Sequence, residues 1–157
     1  MQIYVLRHGH AELQQTTDEA RNLTMKGRTE VAAMVKSSVD DLKNVQEIWA
    51  SPLVRAQQTA KIAQELLAQK GINLRIKTTA LLIPEAETEA LCNELENSKL
   101  NSILLVSHQP FVSNFFDTLC GSAKGFHSFD TSSIGHVECD NVVAGLGNLR
   151  WLRHMHA

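Results

Sequence analysis

Long hydrophobic runs are missing from this 157-residue chain: no fully aliphatic stretch is longer than that at residues 103–106. A membrane-crossing helix takes about twenty apolar residues, so no span is expected. A secretory leader is not expected either, because Arg7, His8, His10 and Glu12 fall where its apolar region would lie. Cysteine is scarce: Cys92, Cys120 and Cys139 are too few and too scattered for a disulfide framework, and no CxxC pair occurs. Reduced thiols in a cytoplasmic protein are the expectation. Net charge is small, with 15 Lys and Arg against 17 Asp and Glu leaving −2. Bulk charge therefore offers little hold on nucleic acid or an acidic membrane surface, and any anion site must be built from a few local cations. Only 8 Gly and 3 Pro argue against linkers and low-complexity segments, while 43% hydrophobic residues can fill a core. The length suits a single domain over residues 1–157, with a monomer as the default state.

What is present alternates. Residues 2–6 read as a strand, 23–42 as a helix with Val31, Val35, Val39 and Leu42 on one face and Thr24 as its N-cap, and 45–50 as a second strand. Residues 56–69 read as a helix ending at Lys70-Gly71, and 74–82 contain a third strand broken by Pro84. A helix over 85–97, a strand over 102–106, a helix over 111–120 and a loop over 121–130 follow. The run at 102–106 is continuously apolar, which marks a strand buried on both faces. Residues 134–139 and 149–153 predict an antiparallel closing pair. Strands alternating with helices predict an α/β fold, a three-layer αβα sandwich with a mostly parallel sheet. Ligands of such sheets bind beyond the carboxyl ends of the strands.

Those ends carry the chemistry. Arg7, His8 and Gly9 follow the first strand, Ser51, Pro52 and then Arg55 the second, and Ser107 and His108 the long buried one. Two arginines and two histidines on one sheet edge suit phosphoryl transfer. Guanidinium groups are permanent cations whose forked donors match phosphate oxygens. A neutral imidazole can attack phosphorus and carry the group covalently. Gly9 is expected to bring the backbone, and its amide, close to the ligand.

Four segments extend the pattern. Residues 3–11 (IYVLRHGHA) give a strand followed by Arg-His-Gly, and 21–27 (RNLTMKG) an R-x-L-T-x-x-G element. Residues 50–60 (ASPLVRAQQTA) give S-P-x-x-R-A with a following Q-T-A, and 104–110 (LLVSHQP) a strand followed by S-H-x-P. In this order they resemble the histidine phosphatase superfamily, of phosphoglycerate mutase-like fold. The last third of the chain carries little motif beyond a faint likeness at 131–134. The brevity of the stretch after the Arg55 helix makes the chain similar to the short SixA-type phosphohistidine phosphatases, which lack the insertion that caps the pocket and supplies a general acid in larger members.

The resemblance implies His8 as the nucleophile, Arg7 and Arg55 as holders of the phosphoryl oxygens, and His108 as a protonated donor. It also implies no metal and no cofactor, and a shallow site for a protein-sized substrate: a phosphohistidine on a histidine phosphotransfer domain, or a sensor kinase, of a two-component relay. The arginines should hold His8 neutral and make the two histidines titrate as a coupled pair. An imidazole is a good leaving group, so P–N bonds need no dedicated acid, whereas alkoxides do. Glu85 and Glu87 lie near the place of that acid in larger relatives, but read more simply as solvated carboxylates at a helix start. Arg21 is either a third oxyanion contact or docking residue, or a surface ion pair with Asp18. The remaining histidines, 127, 136, 154 and 156, read as surface or packing residues, with 154–156 a frayed tail. Three alternatives stand beside this reading: a small-molecule phosphomonoesterase of the same fold, a non-catalytic phosphate-binding module, and a metal-assisted hydrolase using the H-x-H spacing of His8 and His10.

Overall fold

The computed structural model of the chain describes residues 1–14 and 17–155. Six strands, β1 (Gln2–Arg7), β2 (Glu47–Ala50), β3 (Ile76–Thr78), β4 (Ser102–Ser107), β5 (Ile134–Glu138) and β6 (Asn148–Arg153), form one sheet in the order β3-β2-β4-β1-β5-β6. The first four of that order run parallel, and β5 and β6 close the sheet antiparallel. The expected αβα sandwich is the architecture observed.

Strand β4 explains the layering. All six of its residues are buried, as a strand enclosed by helices on both faces requires. Beside it β1 alternates, Ile3 and Val5 facing one core and Tyr4 and Leu6 the other. The first core is filled by Leu91 and Leu95 of α4 (Thr88–Ser98) and by Phe111, Phe115 and Phe116 of α5 (Phe111–Cys120). The second takes Val31 and Val35 of α1 (Met25–Ser37) and Ala56, Ala60, Ala63 and Leu67 of α3 (Val54–Ala68), with Leu42 of the short α2 (Val39–Leu42).

Several boundaries differ from the sequence reading. Thr24 caps α1 as expected, accepting from the Gly27 amide at 3.0 Å. The helix expected to run on to residue 42 instead breaks at Ser38. There Ser37 Oγ donates back to Met34 C=O at 2.9 Å, and the Arg153 guanidinium binds Ser38 Oγ at 3.1 Å. Hydroxyls that bond locally to the backbone weaken a helix at such a point. Helix α4 starts at Thr88 rather than 85, after a turn in which the Ala86 amide donates to Ile83 C=O at 3.1 Å. The tail expected to fray is tied down at His154, whose Nδ1 lies 2.7 Å from Ser133 Oγ; His156 falls outside the described residues.

Strand register positions the site. Arg7 pairs with Ser107 across β1 and β4, and Ala50 pairs with Val106 across β2 and β4. The next residue on each chain, His8, His108 and Ser51, therefore emerges beside the others at one end of the sheet. Two backbone bonds continue the ladder to this edge, His8 amide to Ser107 C=O at 3.0 Å and Ser51 amide to Val106 C=O at 3.1 Å.

Candidate active site

His8, His108 and Arg55 are 6%, 1% and 4% exposed, so the polar cluster at the sheet end lies within the protein. The two imidazole centroids are 5.1 Å apart. His8 Nδ1 lies 2.7 Å from Gly9 C=O. A carbonyl only accepts, so Nδ1 carries the ring proton and Nε2 keeps its lone pair. Arg55 Nε donates to that Nε2 at 3.3 Å. Nε2 is thus the unprotonated ring nitrogen and already faces a cation.

Burial first, and then Arg55, Arg7 and Arg21, push the pKa of His8 down to about 3, against the opposing pull of the Gly9 carbonyl. The expectation of a neutral His8 agrees with this. The expectation of a protonated His108 does not: burial first, then His8 and Arg55, push its pKa down to about 3 as well, outweighing the opposite effect of Asp18. Both rings are neutral in the resting site, because two imidazolium ions beside two guanidinium groups would lie in a region that water does not screen.

Each arginine is held from behind. Arg7 Nη1 donates to Phe129 C=O at 2.7 Å, while its buried Nε has no partner among the described residues. Burial is the main influence lowering the Arg7 pKa, with Asp130 opposing and Arg55 adding to it. Arg55 sends Nη1 to the Asp18 carbonyl at 2.8 Å and Nη2 to the Asp18 carboxylate at 3.1 Å. Arg21 meets the same carboxylate at 3.1 Å and donates Nε to Glu12 C=O at 2.7 Å. Burial raises the Asp18 pKa, but the bonds from Arg21 and Arg55 outweigh it and keep the carboxyl ionised below its usual range. Arg21 is therefore paired with Asp18 and also adds to the positive field at His8.

The segment after α5 is locked to this centre. Asp117, 2% exposed, accepts from the amides of Gly125 and His127, each at 2.9 Å, and from His127 Nδ1 at 2.7 Å. That knot fixes the loop that offers Phe129 C=O to Arg7. The Ser132 amide then contacts the carbonyls of Arg7 and His8 at 3.2 and 3.1 Å.

Other expectations sort out plainly. Gly9 does not offer its amide to a ligand: the amide donates to Thr59 Oγ1 at 3.1 Å. A Cβ there would lie 2.7 Å from Val31 Cγ2 and 2.9 Å from Gly27 C=O, so the glycine serves close packing of the loop on α1. His10 is exposed and its Nδ1 lies 2.8 Å from Thr24 Oγ1, so the H-x-H pair does not converge. Among the described residues no group of three His, Cys, Asp or Glu side chains is arranged to hold a metal ion. Glu85 and Glu87 are exposed, and Glu87 occupies the N-cap position of α4. Phe129 and Trp49 are core residues, each 2% exposed, whereas Phe126 is 72% exposed. Sequence reasoning gave no role to Ser51, whose Oγ lies 2.7 Å from His108 Nε2, nor to Asp18 as the anchor of Arg55. The available signal was position: Ser51 follows β2 beside β4, and Asp18 opens a 3-10 turn that delivers Arg21.

Comparison with known proteins agrees with the geometry. The family model described as "Histidine phosphatase superfamily (branch 1)" matches residues 3–82. Phosphohistidine phosphatase SixA of Escherichia coli (strain K12) is 29% identical over 158 residues, covering 96% of this chain and 92% of the relative. A SixA homolog of Haemophilus influenzae is 29% identical over 148 residues, with 89% of each chain covered. The solved structure of the protein histidine phosphatase SixA complexed with tungstate superimposes with a TM-score of 0.87, at 26% identity, over 99% of this chain and 98% of that one. The phosphoglycerate mutase-like fold expected from the motifs is the fold found.

Proposed function

This chain belongs to the histidine phosphatase superfamily, and from that premise we propose that it hydrolyses phosphohistidine on a protein, a histidine phosphotransfer domain or sensor kinase of a two-component relay, through a phosphohistidine of its own. The observation that carries the proposal is the oriented lone pair of His8 Nε2, 3.3 Å from Arg55 Nε in a buried cationic site. In the first step Nε2 attacks phosphorus and forms a P–N bond. The substrate's phosphohistidine ring carries a proton on its other nitrogen, so when its P–N bond breaks the electron pair stays on the leaving nitrogen and a neutral imidazole departs. Arg55 Nε, the unpartnered Nε of Arg7 and His108 meet the phosphoryl oxygens, on which the charge of the moving group is spread. In the second step water attacks the phosphoenzyme, releases inorganic phosphate and restores neutral His8. No cofactor or metal enters these steps.

The leaving group supports a P–N substrate. Glu85 and Glu87 are exposed and Asp18 is held ionised by two arginines, so none of the three is a ready proton donor to an alkoxide. A phosphohistidine protonated on its second ring nitrogen leaves as a neutral imidazole and needs no such help. The strong similarity in length and fold to SixA supports the same substrate class. Free buried thiols at Cys92 and Cys139 suit a reducing cytoplasm. We take the working unit to be a single-domain monomer.

The test is incubation with a 32P-labelled phosphotransfer domain. The wild-type chain is expected to lose label to inorganic phosphate and to pass through an acid-labile phosphoenzyme; His8→Ala is expected to form none. A wild-type chain that neither takes up label nor turns over would be a phosphate-binding module. Faster turnover of sugar phosphates than of phosphohistidine would make it a small-molecule phosphatase.

A further inference from the structure

Among the described residues three buried side-chain atoms lack a hydrogen-bond partner, and two of them, Arg7 Nε and His108 Nδ1, belong to the cluster at the strand ends. The first is a donor by nature. The second is a donor or an acceptor according to tautomer, and the tautomer is set elsewhere. His108 Nε2 lies 2.7 Å from Ser51 Oγ, and Ser51 is fully buried. One lone pair of Oγ already accepts the Leu53 amide at 3.3 Å. The hydroxyl still has its own hydrogen to place, and His108 Nε2 is the acceptor beside it. A hydroxyl that donates to Nε2 makes that nitrogen the unprotonated one. In a neutral ring the single proton is then on Nδ1.

We propose that Ser51 is a positioning residue: its hydroxyl fixes His108 in the Nδ1–H tautomer, so that a neutral imidazole presents a ready N–H donor to the transferring phosphoryl group. The opposite arrangement, Nε2–H donating to Ser51, would leave a lone pair on Nδ1, the one ring nitrogen free to meet a ligand, and that lone pair would repel anionic oxygens. An unmet buried N–H is costly in the resting protein, and the arrival of an oxyanion relieves that cost. The neutrality of His108 in the resting site fits the same picture. His108 thus needs no proton uptake before it acts, and Ser51 acts through it without touching substrate. The position of Ser51 follows from the sheet: it is the residue after β2, whose neighbour β4 delivers His108.

The identity of the oxygen rests on the proposed function; the tautomer does not. Long-range 1H–15N spectra of histidine-labelled protein read the tautomer directly. The wild type is expected to show His108 Nδ1 protonated and Nε2 bare, with the Nδ1 proton signal shifting when inorganic phosphate is added. Ser51→Ala, which removes only the hydroxyl, is expected to shift the ring toward the Nε2–H form. Its kcat on a phosphohistidine substrate is expected to fall about 10–100-fold, the range for losing a group that orients an active-site histidine, with KM little changed. In a His108→Ala background the same substitution is expected to change nothing further. An Nε2–H tautomer in the wild-type spectrum overturns the proposal, whether or not Ser51→Ala folds. So does a Ser51→Ala protein with unaltered tautomer and kcat. A chain that shows the Nδ1–H tautomer and the phosphate-induced shift but never turns over phosphohistidine supports this inference while refuting the proposed reaction.

Discussion

Arg55 uses all three of its nitrogens at rest, Nε on His8 and the two terminal nitrogens on the carbonyl and carboxylate of Asp18. One side chain therefore faces His8 and is braced from behind. A lysine has one nitrogen and cannot do both. Arg55→Lys is expected to lower kcat/KM on phosphohistidine substrate about 10²–10³-fold, the scale for losing a fixed oxyanion donor. Single-turnover labelling of His8 is the measurement, and a loss below about tenfold would count against Arg55 as a phosphoryl contact. Asp18 shows what a local reading misses at this scale. Its pairing with Arg21, three residues on, was open to inference, whereas its bond to Arg55 crosses 37 residues and depends on α3 packing beside the loop.

At the scale of elements, α1 and the loop after β1 meet through two glycines. A Cβ on Gly27 would lie 2.1 Å from the His10 carbonyl oxygen, a clash with backbone that no rotamer relieves. Gly27→Ala is expected to cost about 1–3 kcal/mol or more by overpacking and to displace the loop that carries His8. Urea unfolding and phosphoenzyme formation should fall together, and an unaltered midpoint would refute the packing role. Much at this scale was legible in the sequence. The unbroken apolar run of β4, the Thr24 cap and the residues at three strand ends placed the fold and His8, Arg7, Arg55 and His108. The break after α1 was not legible, because the apolar spacing of Val31, Val35, Val39 and Leu42 continues through it. Part of its cause lies 115 residues away, where Arg153 reaches Ser38 and also pairs with Asp41 at 2.8 Å. The role of Gly9 was misread for a related reason: a glycine beside a histidine suggests room for a ligand, and the need it meets is α1 passing behind it. Nor could the protonation of His108 be read from residue types, since burial is a property of the folded chain.

For the whole molecule the two buried histidines give stability a definite dependence on pH. In the unfolded chain each takes a proton near 6.5, while in the folded chain each does so only at about 3. Between those values the unfolded state binds more protons, so stability is full above about pH 6.5 and declines as pH falls toward 3. Asp18 and Glu47, with pKa values held below the ordinary carboxylate range, add losses of the same sign at more acid pH. The melting temperature is expected to begin falling between pH 6.5 and 5, before carboxylates titrate appreciably. That early fall is expected to shrink in His8→Gln. An identical pH profile for the two proteins would show that His8 is not held neutral by the fold.

The carbonyl of Phe129 that grips Arg7 belongs to the part of the chain with the least recognisable sequence, and the Asp117–His127 knot holds it in place. The edge that carries Arg7 and His8 is thus underwritten by the protein's most anonymous stretch. A chimera that joined the first 110 residues to the tail of another family member would inherit every motif residue and still lose the aim of its first arginine, unless the new tail brought an equivalent knot.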